Sequence, residues 1–510
     1  MHRYGSRARL HSSICQIEYT KPMLQINIPF PVVFILKTLH DANFEGYVVG
    51  GAVRDALLER NPIRDWDITT NAQPDQILKL FDESFYDNNF GTVMVAPKHI
   101  MEQTQTNTWN FDALDVFDIT TYRSESDYTN NRHPDKVEWG TTLEEDISRR
   151  DFTINALALS VKDLDTPTSP DKQGWFKHEV ELHDFFEGVK DLNAGSIRTV
   201  GDPSTRFSED ALRMMRAVRI AATIGFEIEP ETLKAIKANS ADLEKISKER
   251  IRDELFKILS SERPTEGIEL LDETNLLRFV IPELLQTKNV KQGGRHKYDV
   301  WRHSLESLRE CPSTDPLVRL ATLLHDIGKP KTMRQQGPRG VTFYGHEVVG
   351  AHIGNRIADR LRLSKKQKNL LFTLVRWHMF TYNPEMTDSA IKRFIRRVSL
   401  ENINHMMNLR IGDRKGGGSK ATSWRLRELQ QRIGENLYEP MSIKDLKISG
   451  TDIMKLLDIK PGPIIGDILE ELFELVMDDK LPNELEALSQ KAQEISQSRQ
   501  SDPIAPSEKE

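Results

Sequence analysis

The chain has 510 residues, 38% of them hydrophobic and 29% charged, with a formal net charge of −7. That length exceeds a single compact core and predicts about two to four domains. The acidic balance excludes a uniformly basic nucleic-acid binder and leaves polyanion contacts to local patches. No apolar run reaches bilayer length, which excludes a transmembrane helix, and Cys15 and Cys311 offer no metal or disulfide spacing, which fits a reducing, cytoplasmic setting.

In chain order, residues 1–24 read as a flexible start: Arg3, Arg7 and Arg9 carry charge without acids, a faint likeness to a transit peptide. Residues 25–200 read as an α+β head with a small mixed sheet, since short runs such as Tyr47–Val49, Ile68–Thr70, Val93–Val95 and Phe117–Ile119 are β-rich between helical patterns. "VKDLDTPTSPDKQGWFKHEVE" reads as an insertion or hairpin loop. From 201 onward the pattern is all-α: a neck (201–285), a histidine-rich helical domain (286–420), a helical tail (421–490), and a polar end (491–510) that reads as disordered.

The stretch "YVVGGAVRDALLERNPIRDWDITT" concentrates the chemistry. If "RDWDITT" is a strand, Asp65 and Asp67 share one face with Trp66 opposite. Two adjacent carboxylates repel unless a cation lies between them, and Mg²⁺ takes oxygen ligands while keeping sites for water and phosphate. Gly50 and Gly51 open a helix whose amides approach an anion closely, with Arg54 one turn in. Together these parts suit a nucleoside triphosphate attacked by a hydroxyl.

"GGAVRD" followed by "RDWD" resembles the nucleotidyltransferase superfamily, in the branch shared by CCA-adding tRNA nucleotidyltransferases and bacterial poly(A) polymerases. The resemblance continues through "FDITTYR", where Asp118 matches a third carboxylate, and "SRRDF", where Arg150 and Asp151 match ribose and triphosphate recognition. "SEDALRMMR" matches the EDxxR element and "ERIRDEL" the helix after it. It implies Mg²⁺ at Asp65 and Asp67, a tRNA partner, and CTP and ATP as substrates. Asp210 and Arg213 stand three apart on a predicted helix and so share a face. A carboxylate accepts and a guanidinium donates. The pair therefore fits the amino group and ring nitrogen of cytosine or adenine and rejects uracil and guanine. Arg216 and Arg219 continue the basic stripe toward phosphates. "NNFGTVMV" after the two aspartates resembles the CCA-adding pattern more than the arginine-rich patch of the poly(A) polymerases. The segment before "RRDF" resembles the loop thought to let CCA enzymes switch from C to A. Poly(A) addition, A-only addition, and an inactive RNA-binding head stay open as alternatives.

Half of the fourteen histidines lie between His296 and His405. "LATLLHDIGKP" resembles an HD domain, which implies His303, His325, Asp326 and Asp413 as ligands of one or two divalent ions. His346 and His378 stand where some members place further ligands. Imidazole with carboxylate suits Mg²⁺, Mn²⁺, Fe²⁺ or Ni²⁺, and the resemblance implies phosphatase or 2′,3′-cyclic phosphodiesterase activity. The runs "IKRFIRR" and "DRKGGGSKATSWRLRELQQR" read equally as phosphate contacts for tRNA or as solvated faces.

Overall fold

The computed structural model describes residues 24–501, except 62, 64, 83, 88–90, 97–99, 101–115, 124–138, 165–174, 294–296, 336–339, 381, 422–423, 436–441 and 479. The basic start, Cys15, residues 124–138 of the segment before "RRDF" and His296 lie outside the described residues. Two compact units divide the chain after Val280, inside the stretch read as the end of the neck.

The first unit is built on an eight-stranded mixed sheet: β1 (Leu24–Pro29), β2 (Tyr47–Val49), β3 (Asp67–Thr70), β4 (Ser84–Asp87), β5 (Thr92–Val95), β6 (Phe117–Thr121), β7 (Leu157–Val161) and β8 (Trp175–Asp184). Their order is β1-β8-β7-β2-β3-β6-β5-β4. Only β3 and β6 run parallel within it; the other neighbours are antiparallel. The four runs predicted as strands are β2, β3, β5 and β6. Val48, Ile68 and Ile119 are fully buried at the sheet centre, the continuous apolar burial that interior strands require. β7 and β8 pair across residues 165–174, so the hairpin reading of that segment holds and "FKHEVELHD" is strand.

Beyond the sheet, β9 (Ser196–Ile197) pairs in parallel with β10 (Glu227–Ile228). The helix Leu212–Ile224 buries Met214, Met215, Ala217, Val218 and Ile220 against the helices Lys248–Ser260 and Pro264–Glu273. It stops at Gly225, whose φ of +79° is the left-handed conformation that glycine enters without a Cβ clash.

The second unit is helical. Val300–Arg309 packs on Ile403–Gly416, Pro316–Leu324 on Lys365–Trp377, and His346–Arg360 on Lys365–Trp377. Gly412 and Gly416, one turn apart, face Ser307: a Cβ on either would fall 2.6 Å from the Ser307 carbonyl oxygen or 2.5 Å from its nitrogen. The backbones approach there at a distance only glycine permits. The helices Gly450–Leu457, Pro463–Met477 and Leu485–Ser501 share a core of Ile453, Ile468, Leu472, Phe473 and Leu488. Leu488, Ala492 and Ile495 recur at helical spacing and are buried, so helix continues to Ser501 into the stretch read as disordered. In "IKRFIRR", Arg393 pairs with Asp478 at 2.5 Å, and Arg396 with Glu470 at 2.6 Å and Glu474 at 2.5 Å. These arginines bind carboxylates of the tail.

Candidate functional site

In the first unit, Gly50 joins β2 to the short helix Gly51–Leu57 at φ +80° and ψ −140°. A Cβ there would lie 3.0 Å from Arg150 Nη1 and 3.3 Å from Asp67 Oδ2. Glycine thus lets an arginine and a carboxylate close over the turn. The strand starts only at Asp67, so the reading of a strand through Asp65 is corrected. Trp66 is 2% exposed and donates from Nε1 to the Ile63 carbonyl at 3.3 Å, ahead of β3. Asp65 is exposed.

Parallel pairing of Ile68 with Ile119 sets Asp67 beside Asp118 on neighbouring strands, on one face. Burial raises the Asp67 carboxyl to about 6; Asp118 and Asp65 add to the rise, and Arg150 and Arg216 oppose it. A carboxylate cluster short of positive charge is the donor set that Mg²⁺ completes. Yet among the described residues no three carboxylates here bring ligand atoms within 4.8 Å of one another, so the cluster is gathered but not converged.

Behind it runs a hydrogen-bonded chain. Arg54 donates from Nη1 to Asn155 Oδ1 at 2.7 Å and grips both oxygens of Asp55 at 2.9 Å. Asn155 Nδ2 reaches Asp151 Oδ1 at 3.4 Å, and Arg216 Nε donates to Asp151 Oδ2 at 2.6 Å. Burial works to raise Asp151, but Arg216 and Arg213 prevail and hold it at about 2. Arg54, Asp151 and Arg216 therefore brace one another, where the motif alone suggested ligand contacts. Arg219 likewise pairs with Glu254 at 3.1 Å. Asp146, absent from the sequence-derived set, is fully buried under Arg149 (2.7 Å) and Arg150 (3.6 Å), and accepts from Thr69 Oγ1 at 3.1 Å. Its i,i+3 and i,i+4 spacing to the two arginines was the signal available.

The base-reading pair needs the larger correction. The helix Pro203–Glu209 ends before Asp210, which is extended (φ −146°, ψ 102°), and the next helix begins at Leu212. Asp210 and Arg213 are not on one helix. Asp210 accepts from the Leu212 amide at 3.0 Å and from Arg250 Nη2 at 2.6 Å. Arg213 pairs with Glu209 and donates to the carbonyls of Arg206 (3.1 Å) and Arg149 (3.2 Å). Glu209 and Arg250 are thus further residues of this site that the motif reading did not single out.

In the second unit the predicted ligands meet. His303 Nε2 lies 3.2 Å from Asp413 Oδ1 and 3.2 Å from His325 Nε2. Asp326 Oδ2 is 3.3 Å from His325 Nε2, and its Oδ1 is 3.3 Å from His346 Nε2 and 3.8 Å from His378 Nε2. The glycine contact at Ser307 brings Asp413 to His303. A second close approach, Gly328 against the His346 carbonyl (2.1 Å for an added Cβ), brings His346 to Asp326. Two ligand groups result, His303–His325–Asp326 and Asp326–His346–His378, with Asp326 common to both.

The histidines' outer nitrogens fix the tautomers. Nδ1 of His325, His346 and His378 lies 2.7, 2.8 and 2.7 Å from the carbonyls of Thr322, Phe343 and Val375. A carbonyl only accepts, so each Nδ1 carries the proton and each Nε2 faces inward with a lone pair. Nε2 of His346 and of His378 is buried with no hydrogen-bond partner, which fits a metal. Burial depresses His378 to about 3, as a ligand imidazole requires. Burial also works against a charged His325, but Asp326 and Asp413 outweigh it and raise its pKa. Lys329 Nζ lies 2.5 Å from Asp326 Oδ2. The cluster opens into a cavity of about 610 Å³ rimmed by Tyr344, Met379 and Gln292.

Comparison with known proteins follows this geometry. Residues 46–198 match the Poly A polymerase head domain, 225–287 an RNA- and SrmB-binding site of polymerase A, 295–407 the HD domain, and 360–492 a tRNA nucleotidyltransferase domain 2. The CCA-adding enzyme of Ligilactobacillus salivarius is 31% identical over 468 residues, 90% of this chain and 95% of that protein. The A-adding tRNA nucleotidyltransferase of Deinococcus radiodurans is 33% identical over 346 residues, 65% of this chain and 75% of that protein. The crystal structure of the Bacillus stearothermophilus CCA-adding enzyme in complex with CTP shares the fold, with a TM-score of 0.64 at 24% identity, covering 92% of this chain and 98% of that one. Similarity that runs through head, neck, helical domain and tail leads to one conclusion: the chain belongs to the CCA-adding enzyme family of tRNA nucleotidyltransferases.

Proposed function

We propose that the chain adds C and A from CTP and ATP to the 3′ end of tRNA, in the cytoplasm. The observation that carries the reading is the register of β3 on β6, which sets Asp67 beside Asp118 under Arg150. Asp65 and Asp67 would hold Mg²⁺, with Asp118 adjacent; the ion when bound polarises the phosphoryl group and eases deprotonation of the attacking hydroxyl. Arg150, which lies over Gly50, would neutralise triphosphate charge there. Arg54, Asp151 and Arg216 keep that turn and the helix Leu212–Ile224 in fixed relation. In this reading the 3′ oxygen bonds to the α-phosphorus, pyrophosphate leaves, and the hydroxyl proton passes to a neighbouring base. Base choice rests on Asp210 and Arg213 after each exchanges its present partner, Arg250 or Glu209, for the base edge.

The test is incubation with tRNA lacking its terminus and single labelled nucleotides. Sequential C and A incorporation supports the reading, and long A tails would overturn it. The Deinococcus relative makes A-only addition the second reading, diagnosed by extension of tRNA already ending in C-C and of nothing shorter. In the second unit, His303, His325, Asp326 and Asp413, with His346 and His378, would hold one or two divalent ions. Bound there, they supply Lewis-acid activation of water. The activity proposed is phosphoester hydrolysis at RNA 3′ ends: a P–O bond forms from water, the bond to one ribose oxygen breaks, and that oxygen takes the proton. Loss of 2′,3′-cyclic phosphate hydrolysis in His325→Ala tests it.

A further inference from the structure

We propose that the second unit carries a nucleobase subsite next to its histidine–aspartate cluster, which seats the base adjoining the phosphoester in a single-stranded RNA 3′ end. This rests on the hydrolase reading above and names the substrate class of that site.

The subsite is a separate cavity of about 120 Å³. Small-molecule pockets start near ~300 Å³, so this one admits a single ring and not a whole nucleotide. Its floor is apolar, formed by buried Phe394, Met407 and Leu429, and its mouth carries Arg410, Arg414 and Arg425. Phe380 stacks on Phe394 with centroids 3.8 Å apart and planes 24° from parallel, which supplies a flat wall. Trp424, next in sequence to the lining residue Arg425, is 55% exposed, with the Arg425 guanidinium 5.3 Å from its ring centre.

Charge decides what enters. Neither Arg414 nor Arg425 has a carboxylate partner among the described residues, and Arg410 pairs only with Asp413, at 2.9 Å. Guanidiniums gathered round an aromatic slot favour a ligand that alternates flat rings with anions, and single-stranded nucleic acid is that ligand. Neighbouring residues divide the two cavities: Met379 and Asp413 line the one at the ligand cluster, Phe380 and Arg414 the other. Arg410 of the second cavity pairs with Asp413 of the ligand cluster at 2.9 Å, so the ring slot adjoins the phosphoester site. This also gives Arg414 and Arg425 a role that salt bridging does not absorb.

The test compares the full-length Mn²⁺-loaded protein with Phe380→Ala and Arg425→Ala on two probes. One is an oligoribonucleotide ending in 2′,3′-cyclic phosphate; the other is methyl ribofuranoside 2′,3′-cyclic phosphate, which keeps the phosphoester and has no base or other ring system that could stack. The ratio of kcat/KM on RNA to that on the base-free probe should fall about tenfold, mainly through KM, in line with base–aromatic stacking of ~1–3 kcal/mol. Equal loss on both probes, or none on either, overturns the subsite. A binding arm separates it from the hydrolase reading: quenching of Trp424 fluorescence by the dinucleotide cytidylyl-adenosine in EDTA, with Trp424→Phe as blank. Saturable quenching weakened several-fold in Arg425→Ala supports the subsite even if hydrolysis is absent. Hydrolysis without such quenching overturns it.

Discussion

Asp67→Asn should abolish nucleotidyl transfer and yet stabilise the first unit at neutral pH. Burial, Asp118 and Asp65 raise the Asp67 carboxyl from 3.8 to about 6, so the folded protein holds this proton to higher pH than the unfolded chain does. The stability this group contributes is full below the unfolded value near pH 4 and is lost as pH rises through about 6. About two units correspond to an upper figure of ~3 kcal/mol above pH 7, and about half that after screening at the partly exposed rim. Asparagine holds the neutral state at every pH. At pH 8 in EDTA the variant should melt roughly 3–6 °C higher, given ~2 °C per kcal/mol for a unit of this size. The advantage should shrink to nothing near pH 4. Scanning calorimetry across pH 4–8, with and without Mg²⁺, reads both limbs, and Mg²⁺ should raise the melting point of the parent only. Equal melting of parent and variant at pH 8 would refute an under-compensated carboxylate at this position.

Gly412→Ala should lower the melting point of the second unit by a few degrees, as overpacking against Ser307 costs about 1–3 kcal/mol. It should also weaken Mn²⁺ binding by calorimetry, because Asp413 moves off His303; unchanged binding would show that the helices do not meet there. His378→Ala should lower the metal bound per chain by elemental analysis without abolishing it, since the His303–His325–Asp326 group stays whole; an unaltered metal content would remove His378 from the ligand set. Arg213→Lys keeps the charge and loses the planar fork, and should erode CTP-over-UTP discrimination about ten- to hundredfold, matching ~1–3 kcal/mol per unpaired polar group. Steady-state kinetics with each nucleotide decides this, and a preserved ratio would relieve Arg213 of base reading.

The parts of the fold legible in sequence were the β-branched runs with at least one covered face. β2, β3 and β6 carry runs such as "YVV" and "DITT" that suit a covered strand, whereas β1 and β8 pair along an edge with polar alternation that reads as loop. The histidine cluster was legible because "HD" followed by Gly-Lys is dense in chemistry. What brings its members together was harder to see: Gly412 and Gly416 look like a loop signal beside Gly417 and Gly418, and only the Ser307 contact shows them as helix packing. The base-reading helix misled in the opposite way. "SEDALRMMR" has unbroken helical spacing, but Asp210 spends its carboxylate on the Leu212 amide and on Arg250, and the backbone breaks there. Local side-chain capture of a backbone amide competes with helix, and periodicity does not register it.

The chain from Asp55 through Arg54, Asn155 and Asp151 to Arg216 bears on modularity. A head cut at residue 200 would keep Asp151 and discard the guanidinium that neutralises it, leaving a buried acid whose missing partner is worth about 3–5 kcal/mol. It would also lose the β10 partner of β9 and the Thr232 hydroxyl that accepts from the Thr199 amide. The recognisable motif cassette is therefore smaller than the smallest piece that folds. Swapping catalytic heads between relatives at that seam should yield insoluble chimeras, and exchanges made after residue 280 should be tolerated. Inheritance of the two units as separable blocks would follow the second seam and not the first.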